Sequence, residues 1–123
     1  MAELLYPDIS FGIVGSVYEA YNELGFGYQE KYYYRGVKIK LLAKGYLVKE
    51  QLFVPLTVDG KSVGRYFLDF LVNDVIVLEI KVANEVYPQH IKQVLGYLKA
   101  NNLKLGIIAV ISKNGVIIRR VVA

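Results

Sequence analysis

The chain has 123 residues, 54% hydrophobic and 21% charged, which suits one packed domain over residues 1–123 and excludes a disordered chain. It has no cysteine, so disulfide frameworks and thiolate metal sites are excluded and a cytoplasmic setting is expected. The formal charge of +4 leans towards polyanionic partners, while Met1–Ser10 lacks the basic and apolar regions of a signal peptide and no apolar run could span a bilayer.

Asp8 or Ser10 is the expected cap of a first helix reaching about Leu24, with Ile13, Val17, Tyr21 and Leu24 as its apolar line. Gly25 and Gly27 end it, because glycine accepts left-handed backbone. A second helix is expected from Tyr28 to Ala43, stopping at Gly45. Three strand-like runs follow, Leu47–Val58, Lys61–Val72 and Val75–Val82, separated by the turn pairs Asp59-Gly60 and Asn73-Asp74. Links this short make the three strands antiparallel. A third helix spans about Pro88–Asn101, with Pro88 in its first turn. Leu105–Ile111 reads as a buried strand, and Lys113-Asn114-Gly115 as a tight turn into a last strand, Val116–Val121. The order α-α-β-β-β-α-β-β predicts an α/β fold with a mixed central sheet of about five strands flanked by helices.

Strands this apolar carry charge mainly at ends and edges, yet Asp69 interrupts the second and Glu79 and Lys81 the third. Alternation puts Glu79 and Lys81 on one face, with Leu78, Ile80 and Val82 on the other. Whether Asp69 joins them is a question of register. A two-residue turn at Asn73-Asp74 sets Asp69 opposite Leu78; a three-residue loop, Asn73-Asp74-Val75, sets it opposite Glu79. In that second register two carboxylates stand about 5 Å apart across a strand pair, which suits a hard, oxygen-seeking cation such as Mg²⁺ or Mn²⁺. Lys81 would then orient an attacking water or neutralise charge developing on a phosphate. The alternative is a cross-strand Asp/Glu–Lys cluster at a partly exposed sheet face.

In the second helix Glu30, Tyr34, Val37 and Leu41 share a stripe about 60° wide, so Glu30 lies on the sheet-facing side as a candidate third metal ligand. A first-turn acid favoured by the helix dipole is the competing explanation. Lys31, Arg35 and Lys38 form the neighbouring stripe, placed to meet a phosphate backbone or to serve as a solvated face. In the third helix His90, Gln93 and Tyr97 share a face, where Gln93 can hydrogen-bond a water or a base edge. His90 is assigned first to hydrogen bonding at the helix start. The Tyr32-Tyr33-Tyr34 run reads as exposed and could serve an oligomer interface.

Gly27-Tyr28-Gln29-Glu30-Lys31-Tyr32-Tyr33 matches the pattern for which the GxxExxY family is named. Asp69 through Lys81 is similar to that family's D-x9-E-x-K hairpin, and His90 through Ala100 to its H-x-x-Q-x-x-x-Y-L-K-A helix. The family sits in the PD-(D/E)XK nuclease superfamily, with a restriction-endonuclease-like core; here Leu68 replaces the proline of PD. The resemblance implies Asp69 and Glu79 as metal ligands, Lys81 as catalytic lysine and Glu30 as a helix-borne acid, with Glu19 the other candidate for that part. Gln93 and Tyr97 would form the Q-x-x-x-Y element of RecB-type nucleases. It implies a metal-dependent nuclease acting on DNA, less readily on RNA. The alternative is a binding module that keeps the fold without turnover, with a homodimer or protein partner completing its surface.

Overall fold

The computed structural model describes residues 5–123; residues 1–4, with Glu3 and the start of the expected domain, lie outside the described residues. Helix α1 (Pro7–Leu24) begins ahead of both expected caps. Tyr6 takes the capping position at φ 47°, and Pro7 supplies a first helical residue whose missing N–H costs nothing. Asp8 is therefore in the first turn, and Ser10 is buried within the helix, its hydroxyl accepting from Arg120 Nη1 at 3.2 Å. Helix α2 (Glu30–Ala43) starts later than the spacing suggests, because Gly27 at φ 117° and the extended Gln29 hold the chain out of the helix.

Tyr33 closes the link between the two helices. Its hydroxyl donates to the Gly25 carbonyl and accepts from the Tyr28 N–H at 3.4 Å. The tyrosine run is consequently not an exposed patch: Tyr33 is buried, and half-buried Tyr34 lies flat on Phe70 with ring centroids 4.4 Å apart. Only Tyr32 stays exposed, so the expected oligomer surface shrinks to one ring.

Five strands form one sheet in sequence order: β1 (Val48–Val58), β2 (Lys61–Val72), β3 (Ile76–Val82), β4 (Leu105–Ser112) and β5 (Gly115–Val122). Helix α3 (Pro88–Ala100) crosses between β3 and β4 and makes them parallel; every other neighbouring pair is antiparallel. The expected mixed sheet is thus present. Helices α1 and α2 cover one face through Ile13, Val17, Val37 and Leu41, packed on Phe70, Leu78 and Ile107. Helix α3 covers the other through Val94 and Leu98, on Leu68, Val77 and Ile108. Every residue of β4 is buried, as a strand covered on both faces requires. None of the described helices is long and apolar enough to cross a membrane.

Close seating of α3 depends on Gly106 in β4, where an added Cβ would stand 2.4 Å from Val94 Cγ1. Valine is stiff at χ1 and cannot swing aside. Gly106→Ala is therefore expected to lower the unfolding free energy by about 1–3 kcal/mol, read from the urea midpoint. An unchanged midpoint would show that α3 lifts freely.

Candidate active site

The β2–β3 link decides which side chains meet. Asn73 and Asp74 both adopt left-handed backbone, at φ 51° and 58°, and the Val75 N–H donates to the Val72 carbonyl at 3.1 Å. Val75 is one residue more than the closed turn needs. Pairing therefore resumes at Val72 with Ile76 and continues through Leu71 with Val77 to Phe70 with Leu78. This is the odd-length register, and it brings Asp69 level with Glu79. The Asn73 side chain holds the turn in place, its Oδ1 accepting from the Leu47 N–H at 2.8 Å.

The ladder stops at Phe70, and carboxylates take over from carbonyls. The Asp69 N–H donates to Glu79 Oε1 at 3.0 Å, and the Ile80 N–H donates to Asp69 Oδ2 at 2.7 Å. On its other side β2 is released as well. Gln51, between the paired Glu50 and Leu52, adopts left-handed backbone at φ 55°, a conformation costing a non-glycine residue about 1–3 kcal/mol. That twist resets the alternation. Glu50 bonds Tyr34 on the α2 side, whereas Leu52 packs in the α3-side core. Phe70 and Leu68 likewise join opposite cores, and Asp69 sits at the pivot between them.

Glu79 is buried, and Lys81 Nζ, one pleat along, stands 3.5 Å from its Oε2. Burial pushes the Asp69 carboxyl above its ordinary value, against the opposing pull of hydrogen bonds from its surroundings. Burial together with the neighbouring Asp69 charge pushes Glu79 up to about 9. A buried and a half-buried carboxylate with one ammonium beside Glu79 carry surplus negative charge, which calls for a proton or a cation. Hard oxygen donors of this kind fit a divalent ion of the Mg²⁺ or Mn²⁺ class.

Glu30 does not complete a three-carboxylate set. As the first residue of α2 it is held over the end of β3, where its Oε1 accepts from the Val82 N–H at 3.0 Å. Among the described residues no three His, Asp or Glu side chains converge closely enough to hold an ion. Glu30 nevertheless lines, with Asp69, a cleft of about 320 Å³ that also takes in Lys31, Tyr34, Arg35 and Gln51. Glu19, the other candidate for the helix-borne acid, is exposed and ion-paired with Lys44.

The basic stripe divides. Lys31 and Arg35 reach the cleft and flank the Tyr32 ring, at 5.2 and 5.7 Å from its centroid. Lys38 is engaged elsewhere, 2.8 Å from Glu50 Oε2, so it is not free to meet a phosphate as the sequence suggested. Gln93 and Tyr97 line a separate, larger groove between α3 and the β1–β2 hairpin. His90 works at the start of α3 as expected, its Nδ1 accepting from the Tyr87 N–H at 3.4 Å. Burial, with Lys81 adding to it, holds its imidazole below the usual value.

Sequence reasoning passed over Gln51 and Tyr66, and left Tyr34 as a packing residue. The Tyr34 hydroxyl donates to Glu50 Oε1 at 2.7 Å, and burial with that bond pushes it up to about 12. The consecutive polar residues Lys49-Glu50-Gln51 break the strand alternation and are a signal that could have flagged the twist. Tyr66 is pushed up by burial and by the Glu79 charge, and its hydroxyl donates to the Gln93 carbonyl at 3.4 Å. Nothing in its local sequence marks it.

A family profile described as the PD-(D/E)XK nuclease superfamily matches residues 7–121. No curated protein matches the chain. Among solved structures, an alkaline exonuclease from Laribacter hongkongensis is 19% identical, over 69% of this chain and 51% of its own, with a TM-score of 0.48. A second, SSO0001, is 14% identical over 94% of this chain and 78% of its own, also with a TM-score of 0.48. The chain spans about half the length of the exonuclease it matches.

Proposed function

Because the chain belongs to the PD-(D/E)XK nuclease superfamily, we propose that it hydrolyses phosphodiester bonds of DNA, with RNA the secondary substrate. Within the superfamily we place it with the GxxExxY proteins. Its glycine, acid and tyrosine have separable duties: Gly27 turns the chain at φ 117°, Glu30 binds the Val82 N–H, and Tyr33 locks the Gly25 carbonyl.

The observation that carries the reading is the opened ladder at Asp69, where the Asp69 and Glu79 carboxylates take the place of missing backbone pairing and the Lys81 ammonium stands beside Glu79. Asp69 and Glu79 would hold Mg²⁺ or Mn²⁺. Bound there, the ion would withdraw charge from the scissile phosphate. Lys81 is placed to donate to a phosphate oxygen or to fix the attacking water. Lys31 and Arg35 would carry flanking phosphates into the Asp69 cleft, and Tyr34 would limit its floor. Incubation of linear and supercoiled DNA with the purified chain, with Mg²⁺ or Mn²⁺ and with chelator, tests this. Turnover only with the metal is expected; no turnover on any substrate sinks the proposal.

A second reading is a binding module without turnover, and the lack of a third converging carboxylate among the described residues favours it. It is also the reading in which a homodimer or protein partner would supply missing contacts. Calorimetric titration with Mn²⁺ separates the two, since silence there leaves only the module.

The division of the basic stripe gives a graded expectation. Lys31→Ala and Arg35→Ala should each lower the slope of log affinity against log salt by about one. Lys38→Ala should leave that slope unchanged, because Glu50 already neutralises it. Anisotropy of labelled DNA across a potassium chloride series measures all three, and equal effects would restore a continuous basic face.

A further inference from the structure

Beside the carboxylate pair, on the same side of the sheet as Glu79, runs a groove of about 540 Å³. One wall is the β1–β2 hairpin, with Pro55, Leu56 and Tyr66; the other is α3, with Lys92, Gly96 and Tyr97. A further cavity of about 290 Å³ shares Pro55, Gly96 and Tyr97 and extends the groove to Ala100. The track thus follows most of α3, about 20 Å of helix. Its lining is mainly apolar and contains no acidic residue. Gly96 keeps it open, because an added Cβ there meets nothing within 4 Å.

We infer that this groove holds an unpaired nucleic-acid strand, its bases lying against Tyr66, Tyr97 and the proline faces, and delivers that strand to the Asp69–Glu79 pair. The inference deepens the phosphodiesterase reading and rests on it. Three observations choose the occupant. The groove wall approaches the reactive end of the sheet: Tyr66 lies three residues before Asp69 on β2 and packs in the core that Glu79 faces, with Val77 and Val110. Lys92 supplies positive charge, with no carboxylate to oppose it. The lining offers aromatic and apolar surface rather than rows of phosphate-binding cations. In a duplex the base faces are stacked on one another, so only an unpaired strand can use such surface.

Anisotropy of the full chain in chelator tests the inference, using a labelled thymidine oligonucleotide and a blunt duplex of equal length. The single strand should bind about tenfold tighter or better, since each base stacked on an aromatic ring is worth about that factor. Gly96→Leu projects a side chain into the groove from a Cβ position that meets no atom within 4 Å and puts a better helix former in α3, so its thermal midpoint should not fall and its strand preference should vanish. Tyr97→Ala gives an independent loss. Equal affinities for the two nucleic acids, or a preference retained in both variants, overturn the inference. So does a dimer that Gly96→Leu separates, because the groove then belongs to a second copy. Turnover is a separate readout. A chain that prefers single strands without cutting them keeps the groove and sinks the nuclease reading; one that cuts without strand preference does the reverse.

Discussion

Asp69→Asn is expected to lower metal-dependent phosphodiester hydrolysis by about 10³-fold or more while leaving the fold in place. The amide oxygen can still accept from the Ile80 N–H, which Asp69 Oδ2 does at 2.7 Å, so the strand contact survives. The lost item is negative charge on a ligand, and several kcal/mol of transition-state stabilisation through the ion converts to a factor of this size. Lys81→Met should cost about 10²–10³ by removing one donor to the reacting phosphate and should leave metal affinity nearly intact. Single-turnover rates with saturating Mn²⁺, paired with calorimetric metal titration, separate the two variants. Rates surviving both substitutions would place the chemistry elsewhere or in a contaminant.

Glu79→Gln should do the opposite to stability and activity: activity falls as for Asp69, while the metal-free chain becomes harder to unfold at neutral to alkaline pH. Burial and the adjacent Asp69 charge raise Glu79 to about 9 from an ordinary value of 4.5. Between those values the folded chain holds a proton that the unfolded chain has released. The contribution of this group to unfolding stability is then fully present below about pH 4.5 and is lost as pH rises through about 9. The substituted amide mimics the protonated acid, accepting from the Asp69 N–H and donating to the Asp69 carboxylate, so the decline should flatten, with a gain of about 2 kcal/mol or more at pH 8. Divalent metal should restore the wild-type chain in the same window and do nothing for the variant. Urea midpoints from pH 5 to pH 9, with and without Mn²⁺, read this directly. A wild-type curve rising with pH, or a variant weaker than wild type at pH 8, would falsify this account of the buried Glu79.

Much of the fold is written in local pattern. Period-two apolar runs, Asp59-Gly60 between β1 and β2, and Pro88 at the head of α3 fix element order and hairpin pairing through neighbours in sequence. The stripe of Tyr34, Val37 and Leu41 places α2 against the sheet for the same reason. Where the sequence reading slipped, a distant contact had overridden a local preference. Tyr33 looks like one exposed ring among three until the Gly25 carbonyl, across the inter-helix link, claims its hydroxyl. Lys38 looks free until Glu50 on β1 arrives beside it.

The candidate site divides along the same line. Charges at Asp69, Glu79 and Lys81 inside apolar strands are visible in the sequence, because burying them is costly enough to need a reason. Their meeting is not. Sequence alone left two registers for the hairpin, and only the extra residue at Val75 and the left-handed twist at Gln51 selected the one that turns Asp69 towards Glu79. Both are choices of backbone angle, set by the packing of β2 between two neighbours and two cores. A strand's side-chain composition does not carry that choice, since one step of register exchanges every face at little local cost.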